Sequence, residues 1–215
     1  MRKPPELEDM SLGETIANAV STGVGAALSI AALVILIVVS VMHGAGPRLL
    51  AALAFGVPML LAFLMSTLYH AIPAETPKLV FRILGHCFVF LYIAGALTPY
   101  CVLVVADSGG LVVCGFAWLL AVVGIVIESV WLSRPRWVSL VLCAAMVVIG
   151  CVIAPQLAAA LPAPGWWLLV AAFVCGLVGA AFYVLRNVPY LWFVSHLAII
   201  AGSVLLFLSV VLFVL

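Results

Sequence analysis

Residues 16–42 read IANAVSTGVGAALSIAALVILIVVSVM, a run without one charged side chain. About 20 consecutive apolar residues are enough for a helix to cross the hydrocarbon core of a bilayer. This run exceeds that length and lacks the polar face that a soluble helix would need. A strand there would leave its backbone unpaired in lipid, so the run reads as a membrane-spanning helix.

Working outward, six further apolar runs follow: Leu49–His70, Leu79–Val105, Leu111–Trp131, Trp137–Leu157, Trp166–Leu185 and Pro189–Leu212. The breaks carry turn residues at 44–47, 73–77, 107–110, 133–136, 162–165 and 186–187. The expected fold is an all-α membrane protein, a seven-transmembrane helix bundle. Residues 14–215 form its single domain behind a short polar tail, 1–13. Composition agrees, since 68% of the 215 residues are hydrophobic and 7% charged, whereas a soluble domain carries about a quarter charged residues. The tail holds Arg2, Lys3, Glu6, Glu8 and Asp9 and lacks the early apolar core of a signal peptide. A net charge of +1 gives no electrostatic case for nucleic acid. The expected partners are membrane lipids.

Alternating the seven spans puts Arg2, Lys3, Lys78, Arg82, Arg134, Arg136 and Arg186 on one side and Arg48 on the other. The positive-inside bias then places the N-terminus in the cytoplasm and the C-terminus outside. Trp131, Trp137, Trp166 and Trp167 stand at span ends, where indoles anchor at the interface. Gly23, Gly25, Gly95, Gly176 and Gly179 are candidates for close helix contacts. The six cysteines all lie in apolar runs without a CxxC pair and read as small hydrophobes. Only Cys101 and Cys114 are placed to meet across one loop.

The polar residues gather at the inner span ends. Glu14, Asn18, Ser21 and Thr22 begin the first span, Ser66 and His70 close the second, and His86 lies in the first turns of the third. Glu128 lies near the inner end of the fourth span, and Ser195 and His196 about two turns into the seventh. Three of the four histidines thus share one layer, while His43 sits in an outer loop. Ionisable groups at membrane depth are costly and mark a site or pathway by default. Three imidazoles would suit zinc and leave a position for water. Each imidazole taken singly is more simply met by a hydrogen bond to a neighbouring helix than by a metal. Glu128 reads either as a carboxylate reaching Arg134 or Arg136 or as a proton-relay group.

Several segments carry a family resemblance: residues 14–23 (ETIANAVSTG), residues 66–70 (STLYH), residues 82–86 (RILGH) and residues 93–99 (IAGALTP). Tyr183 to Arg186, Ser195-His196-Leu197 and Ala201-Gly202-Ser203 complete the set. In this order the chain resembles bacterial hemolysin III proteins, within the progestin and adipoQ receptor superfamily that includes the adiponectin receptors. The resemblance implies a bacterial plasma-membrane location and seven helices with the N-terminus inside. It also implies a zinc held by the second-span His and two seventh-span His, with a Ser and an Asp beside the metal-bound water. The wider superfamily is associated with lipid amide hydrolysis, notably of ceramide. Carried over residue by residue, Ser66, His70 and His196 match. Trp192 stands at the other ligand position, Gly85 where the Asp is expected, Thr22 where a His follows Ser21, and Leu206 at a later His.

Three functions remain open at this point. One is a hemolysin III-type protein of membrane homeostasis with a partly degenerate zinc site. Another is a zinc-dependent intramembrane hydrolase of a lipid amide or ester, with Ser66 aiding the water, His70 and His196 as ligands and His86 as a replacement third. The last is a small transporter or channel, against which stand the lack of an inverted repeat and of a charged helix centre.

Overall fold

The computed structural model describes residues 10–131, 135, 137–185 and 188–215. The charged tail residues 1–9 and the cations Arg134, Arg136 and Arg186, on which the expected orientation rests, lie outside them. Among the described residues there is no strand. Eight α-helices follow in chain order: α1 Leu12–Met42, α2 Pro47–Ala71, α3 Glu75–Leu103, α4 Gly110–Val130, α5 Trp137–Cys151, α6 Ala154–Ala160, α7 Ala163–Val184 and α8 Leu191–Phe213. Six of these are long and apolar enough to cross a membrane, and α5 with α6, a pair bent at a short break, brings the number to seven when counted as one span. The chain is an all-α membrane bundle.

The expected fifth span, Trp137–Leu157, is not one straight helix: α5 and α6 meet at an angle of 47°. Pro155 is the cause. It lacks an N–H, and its ring collides with the carbonyl four residues earlier. That residue is Cys151, where α5 ends. At α7, by contrast, proline marks a beginning: Pro164 occupies the first turn, where the missing N–H has no helical acceptor anyway. The helix therefore starts three residues before the expected Trp166. Likewise α3 begins at Glu75, ahead of the expected Leu79, because Pro77 is tolerated in its first turn.

Helix α3 is central, touching α2, α4, α5 and α8, and α1 packs between α2 and α8. Helices α2 and α3 approach closely where Gly95 meets Ala54. Pro58 lies inside α2 and cannot donate to the carbonyl of Ala54, so that oxygen is left without its helical partner. Gly95 of α3 lies against this oxygen, and a Cβ there would fall on it. The freed carbonyl and the glycine thus occupy one close crossing, as small residues do in membrane bundles. Gly25 against Phe63 and Gly179 against Ile199 also allow close contacts, as expected. A Cβ on Gly23 would meet only an ordinary contact with Thr67, and one on Gly176 would meet nothing. Those two glycines do not set a crossing.

The first and last long helices are fastened together at both ends. At one, Ser11 and Glu14 cap α1 reciprocally, and Glu14 also accepts the Tyr190 backbone N–H at 3.0 Å, just before α8. At the other, the Arg48 guanidinium donates to the carbonyl oxygens of Leu215 (3.1 Å) and His43 (3.2 Å). Between these ties an apolar cavity of about 160 Å³ opens between α1, α2 and α8 beside Gly25, Ser29 and Phe207.

Candidate functional site

His70 is in the last turn of α2 and is only 2 % exposed. Its ring stands edge-on to three others: Tyr69 at 4.8 Å, Trp192 at 4.9 Å and His196 at 5.4 Å between centroids. Neither of its ring nitrogens has a hydrogen-bond partner among the described residues. A buried polar group normally has one, so this imidazole is the outstanding polar anomaly of the bundle.

His196 comes from the second turn of α8 and is 8 % exposed. Its Nδ1 lies 3.1 Å from Asn18 Oδ1 on α1. The amide oxygen accepts, so Nδ1 carries the proton and Nε2 keeps its lone pair. An imidazole held by such an outer partner is oriented as metal-ligating histidines are. Asn18 is itself fully buried, and its carbonyl accepts from Thr22 (2.7 Å) and Ser21 (3.1 Å). These two hydroxyls are therefore spent within their own helix. Ser195 is spent too, donating across to Gly179 of α7 at 2.8 Å. Ser66 is half-buried on α2, one turn before His70. Glu14 stays at the mouth of the bundle with its capping partners.

Trp192, four residues before His196, stands where the resemblance calls for a ligand. Its ring is 4.9 Å from His70 and 6.1 Å from His196. Catalytic zinc sites take three protein ligands, and this cluster presents two imidazoles with an indole packed beside both. Among the described residues no three His, Cys, Asp or Glu side chains are grouped to hold a metal ion. The donor set falls one ligand short. At Gly85, where a carboxylate is expected, a Cβ would meet Met65 of α2 at an ordinary 3.8 Å. A Cβ is accommodated there, but the carboxylate is absent.

His86 does not join the other two. Its Nδ1 lies 2.6 Å from Glu128 Oε1, and its Nε2 lies 3.3 Å from the Tyr183 hydroxyl. Glu128 is 1 % exposed and also accepts from Ser139 of α5 at 3.2 Å. The carboxylate is turned into the bundle toward α3 and α5. The alternative reach toward Arg134 or Arg136 involves cations outside the described residues. A second polar group thus links α3, α4, α5 and α7, and Tyr183 adjoins the first through its edge-on contact with Trp192 at 6.0 Å. Sequence reading placed His86 and Glu128 at matching helix ends, where they meet, but missed Tyr183 and Ser139 as their partners. Four-residue spacing cannot reveal bonds between helices.

The chain matches the family model described as Haemolysin-III related over residues 11–212. It is 34% identical over 202 residues to Hemolysin-3 of Bacillus cereus, covering 94% of this chain and 92% of that one. It is 30% identical over 203 residues to the Hemolysin-3 homolog of Bacillus subtilis (strain 168), covering 94% and 95%. No solved structure matches.

Proposed function

Because the chain belongs to the Haemolysin-III related family, we propose that it acts in membrane homeostasis, with the metal centre of its wider superfamily reduced to a two-histidine remnant. The single observation that carries this reading is Trp192, an indole packed against His70 and His196 at the place of a third ligand. Two imidazoles bind zinc far more weakly than three, and Gly85 offers no carboxylate to orient or deprotonate a water. By the positive-inside bias the cluster lies on the cytoplasmic side, with the N-terminus inside and the C-terminus outside, in the bacterial plasma membrane. Metal analysis of protein purified in detergent without chelator tests the proposal. Zinc well below one equivalent is expected. Near-stoichiometric zinc that disappears in His70→Ala and in His196→Ala overturns it.

One observation favours a second reading, the zinc-dependent hydrolase of a lipid amide or ester. Both nitrogens of His70 are buried without a partner, and a metal ion would take the lone pair of the unprotonated one. In this reading His70 and His196 hold the metal, Asn18 orients His196, and Ser66 stands beside the site. The same metal analysis separates the two readings.

A further inference from the structure

Glu128 Oε1, His86 and the Tyr183 hydroxyl stand in line, at 2.6 Å and 3.3 Å. The carboxylate accepts from Nδ1–H, which fixes the imidazole tautomer and leaves Nε2 to accept the phenol proton. This is the carboxylate–imidazole–hydroxyl order that activates a nucleophile on unrelated folds. The hydroxyl contact is at the long end of hydrogen bonding, as such contacts often are before a substrate binds. Ser139 holds the carboxylate from α5, so four helices fix three side chains. His86 remains 35 % exposed, and Tyr183 is half-buried beside Trp192, so the row is not sealed.

We propose that Tyr183 is a base-activated nucleophile for the acyl group of a lipid ester, with His86 as its proton acceptor and Glu128 as the positioning residue. The Tyr183 oxygen attacks the ester carbonyl while its proton passes to His86 Nε2. The ester C–O bond breaks, the departing alkoxide takes that proton, and the acyl group stays on Tyr183. Water then hydrolyses the acyl-tyrosine, handing one proton through the same imidazole back to the phenolate. Neither His70 nor His196 takes part, so the proposal stands apart from the reading of that pair, and metal analysis does not bear on it.

The full chain in detergent is treated with an octyl-tailed aryl sulfonyl fluoride, and labelled tyrosines are counted by peptide mass spectrometry. Attack on sulfur expels fluoride and leaves a stable sulfonate ester. Tyr190, the more exposed tyrosine, is the internal reference. Tyr183 is expected to label at least ~10-fold faster, a modest share of what a positioned base supplies. His86→Gln and Glu128→Gln should bring it down to the Tyr190 rate, Glu128→Asp should restore part of the difference, and His70→Ala should leave it intact. A purely structural tie between helices would not raise the reactivity of one phenol. Labelling of Tyr183 no faster than Tyr190 overturns the proposal, as does a rate indifferent to His86→Gln. Should those variants fail to elute as folded protein, the Tyr183 to Tyr190 ratio in the unaltered chain decides alone. With p-nitrophenyl octanoate, nitrophenolate release should be lost in Tyr183→Phe; release unchanged in that variant overturns the acyl-transfer step.

Discussion

Replacing Gly95 by alanine probes the α2–α3 crossing on which the site depends. The new Cβ would fall on the Ala54 carbonyl oxygen and come within 3.2 Å of Phe55 Cα. A carbon–oxygen contact settles at about 3.3–3.6 Å, so the two helices must part by roughly 1 Å or more. Overpacking of this kind costs about 1–3 kcal/mol. The better helix propensity of alanine returns about 0.5–1 kcal/mol. The net expectation is a loss of up to about 2.5 kcal/mol, read as a lower midpoint when the protein is unfolded in mixed micelles of rising SDS fraction. Gly115→Ala is the matched control, because a Cβ there meets nothing within 4 Å. It should be neutral, or more stable by at most about 1 kcal/mol. Equal midpoints for the two variants would refute the claim that Gly95 admits the carbonyl freed by Pro58.

Three more outcomes are expected. Trp192→His places an imidazole beside His70 and His196 and should raise zinc in the purified protein toward one equivalent; unchanged metal content would mean that the indole does not occupy a ligand position. Ala45 has φ +49 in the turn between α1 and α2, so Ala45→Gly should relieve about 1 kcal/mol of left-handed strain, measured as a higher midpoint in the same titration. Ser195→Ala removes one buried interhelical bond to Gly179 and should cost about 0.6 kcal/mol without altering metal content, whereas a changed metal content would draw Ser195 into the site.

The spans were legible because each is an apolar run closed by turn residues, a pattern that only helices in lipid satisfy. Pro155 was harder to read. A proline inside an apolar run can be carried, as Pro58 and Pro99 are, or can break the helix, as Pro155 does, and the run itself looks the same. Proximity was also legible: counting residues from the span ends put His70, His86, Glu128 and His196 at matching helix ends, and the structure joins them through Trp192 and Tyr183. Direction was not. In a helix apolar all round, a lipid-facing leucine and a core-facing one read alike, so rotation about the axis is hidden. That is why the grouping of three imidazoles was conceivable from sequence, while the structure pairs His70 with His196 and turns His86 to Glu128 and Tyr183. The missing third ligand at Trp192 came from the family resemblance, since no spacing rule marks a tryptophan as a substitute.

The ties at both ends of the α1–α8 seam bear on how the protein is made. Asn18 enters the membrane with the first of the described helices, and its partner His196 arrives with the last of them. Until α8 inserts, Asn18 has no imidazole to receive, Glu14 has no Tyr190 amide, and Arg48 cannot reach Leu215. The nascent chain must therefore hold a polar notch on α1 open to its surroundings through the insertion of all intervening helices. Quality control that senses exposed polar groups in the bilayer would find its signal there. A chain stalled before α8 should be recognised as unfinished by that notch, and that recognition should cease once the seam closes.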